Sequence, residues 1–212
     1  MKNITLSRNT ILIYRILFAG LSWFTIITGA VLHVLTGGSL LEWFNSFKSF
    51  TMQTNLFVTV WFTLAIIWYN KPEILKKISG LLKGAFTVYI TITLIFFAIL
   101  LAPFYQPTGW AAFSNLVLHY ITPIAFIVDW ILTETKLRYK WKYLLYWIIT
   151  YPIFYQAFVI IHGTFTGNYI YYFFDVNAIG ILGVTIFISI IFSTGIVLGS
   201  LYIAINRKRT KD

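Results

Sequence analysis

A histidine and an aspartate stand inside one long apolar stretch, Ser114-Asn-Leu-Val-Leu-His119-Tyr-Ile-Thr-Pro123-Ile-Ala-Phe-Ile-Val-Asp129-Trp130. A titratable side chain within a membrane span costs a few kcal/mol on insertion scales, so it faces a protein interior or a wet cavity. Two more histidines, His33 and His162, end other apolar runs, and Phe50-Thr51-Met52-Gln53-Thr54-Asn55 opens a further one. Imidazoles, hydroxyls and amides of this kind can exchange protons, hold a polar group of a substrate or, with His119 and Asp129, line a proton path. Each also has a plainer use. Thr51 and Thr54 can bond back to their own helix carbonyls, and His119 can hydrogen-bond a neighbouring helix. Asp129 lies ~15 Å beyond His119 along a helix and roughly 80° around it, too far to orient the imidazole. Its structural alternative is an ion pair with Arg15.

Several chemistries are poorly supported. There is no cysteine, which removes thiol nucleophiles, disulfides and thiolate metal sites. The three histidines come from three separate runs with no H-x-x-H or H-E-x-x-H spacing, so no metal or other cofactor is expected. No G-x-S-x-G elbow and no glycine-rich phosphate loop is present.

The elements that carry these residues are membrane helices. Hydrophobic residues make up 59% of the 212, aromatic residues 20% and charged residues 10%, with a mean hydropathy of +0.81. Six apolar runs approach the ~20 residues that a spanning helix needs: 11–35, 50–69, 81–102, 114–132, 142–161 and 178–205. The expectation is an all-α, polytopic membrane protein, a single six-helix domain over 1–212. The first run is too long for a signal-peptide core, lacks a small-x-small cleavage site and is read as a retained helix.

Basic residues set the orientation. Lys2, Arg8 and Arg15 lie at the first run, Lys71, Lys76, Lys77 and Lys83 between the second and third, and Lys136, Arg138, Lys140 and Lys142 between the fourth and fifth. Arg207, Lys208, Arg209 and Lys211 close the chain, leaving Lys48 alone on the other side. Fifteen of the 16 basic residues on one side make that side cytoplasmic, with both termini there. The net charge of +10 therefore reports membrane orientation, and nucleic acid is not an expected partner. The three histidines and the Thr51–Asn55 cluster fall to the external side. There the loops 103–110 and 166–175 are aromatic, as suits a headgroup layer. The bilayer is the expected environment, a bacterial cell membrane fits the absence of targeting tails, and nothing in the chain sets an oligomeric state.

Three stretches, in order, resemble the androgen-induced transmembrane hydrolase family, in its microbial branch. Phe50-Thr51-Met-Gln-Thr-Asn-Leu56 is similar to that family's threonine motif. Asn115-Leu-Val-Leu-His119 followed by Pro123 and Asp129 is similar to its Asn-x-x-x-His segment. His162-Gly-Thr-Phe-Thr-Gly167 with the aromatic run to Asp175 is similar to its last loop, with Tyr172 in place of a proline. The resemblance implies a six-span enzyme that cleaves fatty-acyl esters, such as esters of hydroxy fatty acids, with Thr51 as nucleophile and His119 as general base. Thr54 is the rival nucleophile, and Asn55, Asn115, His162 and Asp129 are candidate supporting or substrate-binding residues. An acyltransferase with the same site, or a small transporter or lipid-binding protein without catalysis, are the competing expectations.

Overall fold

The computed structural model describes residues 6–210; Lys2 and Lys211 lie outside them. All regular structure among the described residues is helical. Six segments are long and apolar enough to cross a membrane: Arg8–Leu35, Phe50–Ile67, Pro72–Phe104, Gly109–Thr133, Lys142–Thr166 and Val176–Arg209. The chain is an all-helical, polytopic membrane protein, because only helices or closed barrels satisfy their backbone groups in hydrocarbon. The helices cluster as two compact units, one ending at Arg138 and the other beginning at Tyr139.

In the first unit, α1 (Arg8–Leu35) starts on Ser7, whose hydroxyl accepts the Thr10 N–H at 3.1 Å. The short α2 (Leu40–Phe44) carries a Ser39/Glu42 capping box. The Ser39 N–H donates to the Glu42 carboxylate at 2.7 Å and holds that carboxyl below its ordinary range. A 3-10 turn leads to Ser49, which caps α3 (Phe50–Ile67) by accepting the Met52 N–H. Next comes α4 (Pro72–Phe96), which runs on through a π-helical turn, Phe97–Leu101. Then α5 (Gly109–Leu116), a second π-helical turn (Val117–Ile121) and α6 (Thr122–Thr133) form one continuous rod.

Val58, Phe62, Ile90 and Phe126 are fully buried where α3, α4 and α6 meet, while Ile13, Leu17, Ile27 and Val31 of α1 point outward. Lipid is as apolar as leucine, so close packing and hydrogen bonds between helices must select the contacts. The pairs are explicit: Ser22 with Thr122 at 3.0 Å, Tyr14 Oη to the Ala125 carbonyl at 2.8 Å, and Trp23 Nε1 to Thr63 at 3.0 Å.

One basic cluster sits differently from the sequence expectation. α4 begins at Pro72 rather than near Leu81, so Lys76, Lys77 and Lys83 are helical residues and not loop residues. A proline at the start and Glu73 in the first turn suit a helix N-terminus. Lys83 is 1% exposed.

In the second unit, the fifth span is broken at Thr150 into α7 (Lys142–Ile149) and α8 (Tyr151–Thr166), ahead of Pro152, which lacks an N–H and cannot continue the bonding ladder. Gly167, at φ +71°, closes α8 in the left-handed conformation that glycine adopts without strain. Asp175 caps α9 (Val176–Arg209), whose first turn breaks at Gly180, φ +70°. The buried Asn206 accepts the Tyr139 N–H at 2.7 Å, and Arg207 donates to the Tyr139 carbonyl at 3.0 Å.

Candidate functional site

Two prolines shape the neighbourhood of His119. The Thr122 N–H bonds to the Val117 carbonyl, five residues back. The Leu118 carbonyl therefore loses its ordinary donor, and the next one in line, Pro123, has no N–H. Asn55 of α3 fills the gap: its Nδ2 donates to the Leu118 carbonyl at 2.8 Å and to the Thr51 carbonyl at 2.9 Å. The same construction recurs in α4, where Ala102 bonds back to Phe97 and Pro103 follows. These paired π-turns set Phe97 flat against His119, ring centroids 3.6 Å apart and planes 21° from parallel. A π-turn in a helix is rare and concentrates at functional sites. Neither turn was legible from hydropathy, although a proline six residues after the start of each is visible in the sequence.

The imidazole is oriented by its own helix. His119 Nδ1 lies 3.2 Å from the Asn115 carbonyl, which can only accept, so Nδ1 carries the proton and Nε2 keeps its lone pair. The ring leans back one turn, towards the end of the rod nearer Thr51. The backbone carbonyl of Asn115, and not its side chain, faces the ring, and Asn115 Oδ1 is buried without a hydrogen-bond partner. Asn55 Oδ1 is buried without one as well.

The two threonines separate clearly. Thr54 is 1% exposed, and its hydroxyl is taken by Thr93 at 2.8 Å and by the Thr51 carbonyl at 3.2 Å. Thr51 stands half-buried in the first turn of α3, and its hydroxyl makes no hydrogen bond to another described residue. No hydrogen bond joins Thr51 to His119 among the described residues; what brings their turns together is the forked amide of Asn55.

The other candidates lie elsewhere. His162 belongs to the second unit, is half-buried, and has Nδ1 3.2 Å from the Asn168 carbonyl. His33 Nε2 is 3.7 Å from the Glu42 carboxylate. Among the described residues no three side chains gather as a metal site. Asp129 is fully buried and carries the ion pair with Arg15 that was its structural alternative: Nε to Oδ1 at 2.7 Å and Nη2 to Oδ2 at 3.2 Å. Lys83, missed from the sequence, adds Nζ at 2.7 Å from Asp129 Oδ2 and 3.6 Å from Glu134, and also donates to Thr133. Asp129 is thus held by two cations ten residues from His119.

Comparison with protein-family models, with curated proteins and with solved structures finds no match.

Asn55→Leu is expected to lower stability by about 1–3 kcal/mol, because it strands a buried Leu118 carbonyl without a donor. Thermal unfolding in detergent micelles measures it; an unchanged transition would mean that Asn55 does not tie α3 to the His119 rod.

Proposed function

We propose that this protein is a membrane-embedded lipid-ester hydrolase in which Thr51 is the nucleophile and His119 the base. The observation that carries the reading is the Asn55 fork, which bonds the Thr51 turn and the Leu118 carbonyl beside His119 at once. A threonine hydroxyl becomes a competent nucleophile when a neighbouring base takes its proton. His119 has the matching state, with Nδ1–H spent on a carbonyl and Nε2 free to accept. In the proposed cycle the Thr51 oxygen attacks the ester carbonyl as its proton passes to Nε2. The ester C–O bond breaks, and the imidazolium returns that proton to the departing alcohol. Water then hydrolyses the acyl-threonine with His119 again as base. Thr54 is the poorer nucleophile because Thr93 already holds its hydroxyl.

The substrate class is the one the family resemblance implies, and the position of the site suits it. The basic ends of the helices lie in the cytoplasm by the positive-inside rule, which puts Thr51 and His119 towards the outer leaflet of a cell membrane, bacterial in our reading. A fatty-acyl ester, such as an ester of a hydroxy fatty acid, reaches that depth between the helices while water enters from the outer face. A proton path through Asp129 is disfavoured, since Arg15 and Lys83 neutralise that carboxylate.

A fluorophosphonate probe tests the assignment. Mass spectrometry of the labelled protein should place the adduct on Thr51, with labelling lost in His119→Ala. An adduct on Thr54, or none on α3, would overturn it.

A further inference from the structure

A cavity of about 570 Å³ opens in the first unit at the basic ends of α1, α3, α4 and α6. It sits beside the Asp129 cluster and is separate from the Thr51–His119 neighbourhood. Five basic side chains line it: Arg8, Arg15, Lys76, Lys83 and Lys136. Only two carboxylates, Glu73 and Glu134, line it with them. The wall stays cationic even when Asp129, behind Arg15 and Lys83, is counted with them.

The cations are graded in availability. Lys83 is consumed at the floor by Asp129, Thr133 and Glu134. Arg15 uses Nε and Nη2 on Asp129, makes no other hydrogen bond among the described residues, and lines the cavity with Nη1 unused. Arg8 is held at the rim, donating to the Tyr69 carbonyl at 2.7 Å with its guanidinium 4.6 Å from the centre of the Tyr69 ring. Arg8 and Arg15 are seven residues apart on one helix and so share a face. Lys136, beyond the end of α6, is exposed and also lines the cavity. Guanidinium groups recognise phosphate oxygens through paired N–H donors. Trp61, Trp68, Leu12 and Leu132 supply apolar surface between the charges. A basic pocket between membrane helices suits an anionic lipid headgroup, and the volume lies in the range of small-ligand sites.

We propose that this cavity binds a phosphate group, held by Arg15 at the floor and by Arg8 and Lys136 at the rim, with the apolar wall taking a lipid tail. The ligand class is an anionic phospholipid or a free phosphate compound. The proposal does not depend on the hydrolase reading, because its site, residues and readout are all different.

The test is quenching or enhancement of tryptophan fluorescence in the purified full-length protein in micelles, titrated with three probes: dioctanoyl phosphatidic acid, dioctanoyl phosphatidylcholine and inorganic phosphate. Saturable binding of the phosphatidic acid, at least tenfold tighter than the phosphatidylcholine, is expected. Lys136→Glu and Arg8→Gln should each weaken it by about tenfold or more, while Lys77→Glu, which makes the same charge change as Lys136→Glu on an exposed residue outside the cavity, leaves it unchanged. Both rim residues are exposed, and an unaltered thermal transition confirms folding of each variant. Inorganic phosphate binding as tightly as the lipid assigns the cavity to a free phosphate compound and overturns the lipid tail. Equal weakening by Lys77→Glu, or no preference for the anionic lipid, overturns the site itself.

Discussion

Asp129→Asn is expected to destabilise the protein by about 3–5 kcal/mol, the cost of removing one partner from a buried ion pair. The carboxylate is fully buried and neutralises two cations at once, each at 2.7 Å. Without it, Lys83, itself 1% exposed, keeps among the described residues only Glu134 at 3.6 Å as a charged partner. Arg15→Gln should cost less, because the Arg15 side chain is 16% exposed and Asp129 would still have Lys83. The two changes share one carboxylate, so the double variant should lose clearly less than the two single losses together. Thermal unfolding of the four proteins in micelles measures this; strict additivity would mean that Arg15 and Asp129 are not coupled. The same variants separate structure from chemistry. Whatever fraction of Asp129→Asn remains folded should retain esterase turnover per folded molecule, since the cluster lies ten residues from His119 along the rod.

His119→Ala should reduce hydrolysis of a long-chain fluorogenic ester by about 10²–10⁴-fold, the usual contribution of a positioned base. Thr51→Ala should fall further, towards the uncatalysed rate, because the next hydroxyl along α3, that of Thr54, is bonded to Thr93. Thr51→Ser should keep measurable activity, since it preserves the oxygen. Thr54→Ala should act mainly through packing against α4. Turnover of each purified variant, normalised to its folded fraction, checks the set. A Thr51→Ala protein with undiminished turnover would remove the proposed mechanism, while the Asn55 tie and the fold would stand.

The failures of sequence reading have local causes. Lys83 falls inside an apolar run, yet its charge suggested a loop; only the packing of α4 against α6 brings Asp129 and Glu134 to it. Phe97 looked like any other span residue, and nothing in its type says that it will lie against His119. The Asn115–His119 spacing was visible, but the partner turned out to be a main-chain carbonyl rather than the amide. Thr51 was ranked ahead of Thr54 only by the resemblance; the residue on α4 that takes the Thr54 hydroxyl, Thr93, was not legible.

By itself the sequence determined the helical, membrane-spanning character and the approximate limits of the spans, the start of the third excepted. Those follow from apolar run length, a property of each segment alone, and the side facing the cytoplasm is argued from the basic clusters in the same way. Tertiary structure decided which polar groups are spent and which are free: Asn55 on two carbonyls, Thr54 on Thr93, Asp129 between Arg15 and Lys83. The reason is that in hydrocarbon a polar group must find its partner on a neighbouring helix or in its own backbone. That choice depends on register and rotation between helices, which no single run of residues encodes.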